Sequence, residues 1–366
     1  VSETILLTGA TGHVGGALLP RLLARPATRV VVLVRARDAA HLDARRKRLA
    51  AGLGAAAERL EAVAGDVSAP GLGLHPADRA ALIPELTAIL HCAASVRFDM
   101  DAETAAAENI EATRSMLALA AEAAERGRLE RYDQVSTAYV AGDRVGRVYE
   151  HERFVGQGFR NRYEWSKCEA EGLVEEAQAR GLPTAIHRPS IIVGDSTTGA
   201  TESFNVIYWP LRLYLSGWWR LFPGSPHCRV DIVPVDFVAE ALDRLQADPG
   251  TVGGRFHLAV GDGAPTVEEM VGWIRAATGS GAIRYVEQGN YKRYFRPLLK
   301  PLFMTKRGAA IRRGGDAFMP YFVQNPLFDT TEAAAALPGL PPPRVRDYIE
   351  RVVSFAVARD FGRAPR

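Results

Sequence analysis

Thr8 to Gly15, TGATGHVG, join an apolar run (ETILLTGA) to a run that reads as a helix (GGALLPRLLAR). Glycines at positions 9, 12 and 15 each have a physical task there. They serve a tight turn, close backbone approach to a pyrophosphate, and close packing of helix on strand. The first turn of the helix adds free N–H groups and a partial positive charge for an anion. A plain turn would satisfy the spacing alone. Its place, at the first strand-to-helix junction of a parallel pattern, predicts a dinucleotide loop of Thr8, Gly9, Thr11, Gly12, His13, Val14 and Gly15.

The rest of the chain supplies that pattern. RVVVLVRA is a near-continuous β-branched run, as expected for a strand covered on both faces. LEAVAGDV, LTAILHCAAS, RYDQVSTAYVAG, TAIHRPSIIVG and GRFHLAV read as further strands. Helices are expected over about 102–126 and 161–180, the second stopped by Gly181 and Pro183. Alternation of this kind predicts the α/β class, a doubly wound parallel sheet. After Gly194 the texture changes, and residues 200–228 are rich in Trp, Tyr, Phe and Pro. We therefore expect a nucleotide domain over 1–195 and 229–261. A smaller substrate lobe would comprise 196–228 and 262–366, over the sheet edge where ligands of open α/β sheets bind.

With 366 residues, 47% of them hydrophobic, and a net charge of +3, the chain reads as globular, without the charge excess of a nucleic-acid binder. Cys92, Cys168 and Cys228 are widely spaced, which predicts free thiols in a reducing compartment. The eight histidines form no ligand pattern, so no metal site is expected. The first residues lead straight into a strand, which predicts no signal peptide. No apolar run approaches the roughly 18–20 residues of a membrane span. A cytoplasmic location is the resulting expectation.

The end of the second strand speaks to the cofactor. An acidic residue there serves the ribose 2′-hydroxyl of NAD, whereas a cation suits the 2′-phosphate of NADP. Arg35 stands at that place, followed by Arg37, which favours NADPH. Arg45, Arg46 and Arg48 on the next helix are expected to form mostly a solvated basic face. Asp66, with Val67 after it, is placed for the adenine edge.

The stretch YEWSK puts Tyr163 and Lys167 four apart, on one helix face. Taken alone it is as easily an ordinary helical turn. With its surroundings it resembles the extended short-chain dehydrogenase/reductases, and within them the thioester-reductase branch. That branch includes fatty acyl-CoA reductases and the reductase domains ending carboxylic acid reductases and peptide or polyketide synthetases. The matching phrases are LLTGATGHVG, VLVRA, AGDV, ILHCAASVRFD, ENIEATRSML, VSTAYVAG, NRYEWSKCEAEGLV, HRPSIIVGDSTTG and VDIVPVDFVAEAL, covering about residues 4–245. The last third matches no phrase of that family.

The resemblance implies a Rossmann fold and a catalytic trio: Thr137 to bind the substrate oxygen, Tyr163 to donate the proton, Lys167 as its partner. Tyr163 follows Thr137 by 26 residues, on the helix after a strand that ends in hydroxyls. Ser136 should then point into the sheet, since strand side chains alternate. The resemblance also implies that Ala93, Ala94 and Ser95 line the cofactor, that Pro189 and Ser190 line the nicotinamide pocket, and that Asn109 is a structural or relay residue. Trp165 is read as helix packing.

The chemistry asks for the same residue types. Hydride addition to a carbonyl builds negative charge on oxygen, which hydroxyl donors stabilise. A tyrosine, with a pKa near 10, needs a neighbouring ammonium to work nearer neutrality. The leading expectation is an NADPH-dependent reductase of an acyl thioester, giving aldehyde, with further reduction to alcohol left open. An NADP-dependent ketone or aldehyde reductase of a free small molecule is the alternative, and a silent NADP-binding scaffold a third. Residues 205–224, with three of the five tryptophans, suit a lobe core, the wall of an acyl tunnel or an interfacial patch near membrane. Residues 291–313 carry eight Lys/Arg and no Asp or Glu, which suits docking of an acyl carrier protein or the phosphates of coenzyme A. Pro297 and Pro301 and the enzyme scaffold speak against nucleic acid.

Overall fold

A computed structural model describes residues 3–204, 206–217, 221–295, 318–323 and 325–362. Seven parallel strands form the central sheet: β1 (Glu3–Thr8), β2 (Thr28–Val34), β3 (Leu60–Ala64), β4 (Ala88–His91), β5 (Arg131–Val135), β6 (Thr184–Pro189) and β7 (Arg255–Leu258). Their order across the sheet is β7-β6-β5-β4-β1-β2-β3. The chain thus starts in the middle, winds one way through β3, and then the other way from β4. The crevice at that reversal is where open α/β sheets bind ligands.

The β-branched runs are continuous because both faces are covered. Ile5 and Leu7 pack on one side, with helices α1 (His13–Ala24) and α5 (Val235–Ala247), while Leu6 packs on the other. Val30 and Val32 against Val31 and Leu33 repeat the alternation along β2. Helices α3 (Ala112–Arg126) and α4 (Arg162–Ala179) cover the second side; α2 (Ala39–Ala50) follows β2 and buries none of its residues.

Three predicted elements end or bend differently. RYDQVSTAYVAG is a strand only to Val135. Thr137 then caps a 3-10 turn, Ala138–Ala141, by accepting from the Tyr139 N–H at 3.2 Å. A hydroxyl that bonds its own backbone offers the chain an alternative to the ladder. TAIHRPSIIVG breaks after Pro189, and Ile191–Val193 pairs instead with Ile232–Pro234 in a separate two-stranded sheet. The helix expected over 102–126 contains a π-turn, Ala106–Glu111, ahead of α3.

Charges are buried beneath the crevice. Arg188 of β6 and Glu171 of α4, both fully enclosed, form a two-pronged pair at 2.6 and 3.0 Å. Arg131 and His187 both reach the buried Asp133 carboxylate, at 2.6 and 2.8 Å.

A third apolar cluster, separate from the two on the sheet faces, gathers Tyr208, Leu211, Tyr214, Phe222, Met270, Ile274, Tyr321, Phe328 and Tyr348. The helix Tyr208–Leu215 therefore contributes core, whereas Trp218 and Trp219 lie outside the described residues. From the far end of the chain, Ala333 and Leu337 pack back on the β1 side of the sheet. Among the described residues no helix is long and apolar enough to cross a membrane.

Candidate active site

The loop after β1 has the geometry its glycines suggested. Gly9 has φ +74°, and a Cβ there would lie 2.8 Å from the Ala93 nitrogen. A Cβ on Gly15 would come within 2.3 Å of the Gly9 carbonyl oxygen. Gly12 caps α1 without any side-chain hydrogen bond, so the amides of the first turn are left for an anion. Thr8 lies beneath the loop rather than in it. Its hydroxyl meets His91 Nδ1 at 2.7 Å and accepts from the Ala93 N–H at 3.1 Å.

Two connected chambers open from this loop, sharing Gly9, Thr11, Gly12, Cys92 and Ala94. The outer one is lined by Arg35, Arg45, Asp66, Val67, Ser68, Ala93 and Ser95. Burial works against the Asp66 charge, but hydrogen bonds from the Ser68 amide and hydroxyl, with Arg35 nearby, hold its carboxyl below the ordinary value. Arg45 reaches back to the Arg35 carbonyl at 2.9 Å, so one residue of the basic helix face joins the chamber. Arg37 does not line it. Its side chain is 83% exposed and turned to Asp38.

The inner chamber, about 420 Å³, holds His13, Val14, Gly15, Thr137, Tyr163, Lys167, Pro189 and Ser190. The Thr137 hydroxyl donates to the Pro189 carbonyl at 3.5 Å and lines the same chamber as Tyr163. Lys167 donates from Nζ to the Val135 carbonyl at 2.7 Å. Burial lowers the Lys167 pKa to about 8, against the pull of Glu171 and Cys92. Burial also pushes the Tyr163 phenol well above its ordinary value. The nearby Thr137 hydroxyl opposes that push and the Glu164 carboxylate reinforces it. The lowering of Tyr163 expected from Lys167 thus does not prevail in this fold, where desolvation is the largest effect. Ser136, expected to face the sheet, keeps its hydroxyl buried, while the residue borders the chamber next to Thr137.

Asn109 lines neither chamber. From the π-turn its Oδ1 accepts the Ser95 N–H at 2.8 Å, and its Nδ2 donates to the Ser95 carbonyl at 3.1 Å and to Ser166 Oγ at 2.9 Å. Ser166 Oγ donates in turn to the Tyr163 carbonyl at 3.0 Å. Asn109 therefore clamps a cofactor-side loop to the helix carrying Tyr163. The sequence carried no signal for the roles of Phe98, Val206 and Tyr321, which close the inner chamber from three distant segments. Of the basic run 291–313, residues 296–313 lie outside the described residues. Among the described residues no three His, Cys, Asp or Glu converge as a metal site.

Glycines whose Cβ positions are filled by backbone, uncapped helix amides and a cleft continuous with an arginine-lined end together fit a dinucleotide. An NAD-binding family described as Male sterility protein matches residues 7–242. The chain belongs to this family.

Among its relatives, an isonitrile lipopeptide synthase of Streptomyces coeruleorubidus is 33% identical over 90% of this chain and 21% of its own length. A fatty acyl-CoA reductase of Drosophila melanogaster is 28% identical over 58% of this chain and 46% of its own. The chain thus spans only a fraction of the curated relatives it matches. Among solved structures, the terminal R domain of the myxalamid PKS-NRPS biosynthetic pathway is 30% identical, with a TM-score of 0.85, covering all of this chain and 93% of that one. In that family setting the sheet and its crevice are a nicotinamide-dinucleotide fold of the extended short-chain dehydrogenase/reductase kind.

Proposed function

We propose that this chain is an NADPH-dependent reductase that takes an acyl thioester, held on coenzyme A or a carrier protein, to the aldehyde. The observation carrying this reading is that Thr137, Tyr163 and Lys167 line one chamber together with the glycine loop. Likeness to carrier-linked reductase domains and to a fatty acyl-CoA reductase supports the substrate class. Arg35, with Arg45 on its carbonyl, supports the phosphorylated cofactor.

The loop of Gly9, Gly12 and Gly15 and the first amides of α1 would hold the pyrophosphate. Arg35 and Arg45 would hold the 2′-phosphate. When bound, a reduced nicotinamide supplies hydride to the carbonyl carbon. Thr137 and Tyr163, both lining the chamber, would offer hydroxyls to the carbonyl oxygen as it develops charge, and such donors stabilise the transition state. Tyr163, kept protonated by burial, passes its proton to that oxygen. The resulting hemithioacetal expels the thiol, whose ordinary pKa of about 8.5 makes it a good leaving group, so no covalent nucleophile is needed. Residues 196–228 and 262–366 would supply the acyl pocket, and the basic run 291–313 the docking surface for an acidic carrier.

Oxidation of NADPH, followed with an acyl-CoA and with the matching free ketone and aldehyde, tests the reading. Turnover of the thioester with release of free thiol is expected. Turnover of the ketone alone would move the assignment to a reductase of free small molecules.

A further inference from the structure

The substrate end of the chamber borrows one wall from residues far along the chain. Tyr321, 4% exposed, lines the cavity with its ring, stacked on Phe98 at 5.4 Å and 12° and edge-on to Tyr139 at 4.9 Å. Its hydroxyl is engaged elsewhere. It donates to Glu164 Oε1 at 2.6 Å and accepts from Asn161 Nδ2 at 2.9 Å. Asn161 is the N-cap of α4, with its Oδ1 accepting from the Glu164 N–H at 3.0 Å. Tyr163 stands between those two anchors. Phe98 lies 5.8 Å from the Tyr163 ring, and the Arg160 guanidinium sits 4.8 Å from the centre of the Tyr321 ring while pairing with Glu164.

We propose that Tyr321 is a positioning residue, reading the acyl group with its ring and fixing the proton donor through its hydroxyl. The proposal rests on the thioester-reductase reading and adds a substrate class to it. Val96, Phe98, Tyr139, Val206 and Tyr321 are uncharged, and the charged side chain nearest them in sequence on this chamber's wall is the carboxylate of Glu202. An aliphatic or aromatic acyl chain is therefore its occupant, and a chain bearing a carboxylate would meet both desolvation on the aromatic wall and repulsion from Glu202. The hydroxyl bonds hold the first turn of α4 at the one place where a small rotation would swing Tyr163 off the carbonyl oxygen.

Two substitutions separate these roles. Tyr321→Phe keeps the ring and removes the strut; we expect kcat to fall about tenfold, with KM for NADPH and thioester within about twofold. Phe98→Leu keeps the strut and removes the stack; KM for an apolar acyl thioester should rise several-fold while kcat is nearly held. Hydrogen exchange on the chain without substrate gives a readout that needs no turnover. The amides of Tyr163, Glu164 and Trp165 should exchange faster in Tyr321→Phe. Unchanged kcat and unchanged exchange in that variant overturn the proposal, as does equal use of apolar and carboxylate-bearing acyl chains by the parent enzyme. A parent enzyme inert toward every thioester, with exchange still altered in the variant, overturns the thioester reading and leaves the strut supported.

Discussion

The two chambers of the cleft are built by different means. The floor that the chambers share is backbone, with glycines that admit no Cβ at the start of α1, and the outer chamber continues past the ends of β2, β3 and β4. The inner chamber is made of side chains delivered from positions 98, 137, 163, 206 and 321, which meet only when the fold is complete. A backbone site is local and tolerates no added atom. A side-chain site is non-local and can be altered one group at a time.

If that contrast is right, Tyr163→Phe gives the largest effect and the most selective one. The proton donor is lost while the ring stays, so kcat should fall about 10³-fold with the NADPH dissociation constant unchanged. Near-normal turnover would remove Tyr163 from the chemistry. Gly15→Ala tests the backbone side. Its Cβ would press on the Gly9 carbonyl at 2.3 Å, so strain of about 1–3 kcal/mol is expected to lower Tm and weaken cofactor binding together. Retained affinity by fluorescence titration would show that the loop can yield.

Arg35→Ala is expected to raise KM for NADPH about tenfold to thirtyfold and leave NADH little changed, as befits one exposed charge-assisted contact. Equal effects on both cofactors would remove the 2′-phosphate from the argument. The smallest and most graded effect is on pH. The ammonium of Lys167 is lost as pH rises through about 8, rather than through the ordinary lysine range. If the charged form is required, kcat/KM falls about tenfold per pH unit above that value. A profile flat to pH 10 would separate the charge of Lys167 from catalysis.

The same contrast explains what could be read from the sequence. The glycine loop, Arg35, Asp66 and the strand runs are short-range patterns, each readable within a dozen residues, and the seven-stranded parallel sheet follows from them. Tyr163 and Lys167 were readable because a helix sets their spacing. Tyr321 was not, since its partners Asn161 and Glu164 precede it by about 160 residues and nothing local distinguishes it from a core tyrosine. Arg45 was assigned to solvent because helix periodicity says which face it is on, not that β2 and the loop after β3 open a chamber beneath it. The raised proton affinity of Tyr163 depends on burial, which a Tyr–Lys spacing does not encode.

The π-turn at Ala106–Glu111 gives helix length a role that composition does not have. An extra residue in one turn advances everything beyond it by about 100° around the axis. Asn109 projects from that widened turn and grips Ser95 on one side and Ser166 on the other. Restoring an ordinary turn by removing one residue would rotate this grip away, although every functional side chain remained in the sequence. Alignment of cofactor loop and proton donor is thus stored as a count of residues, and a comparison that weighs only substitutions along this helix would pass over it.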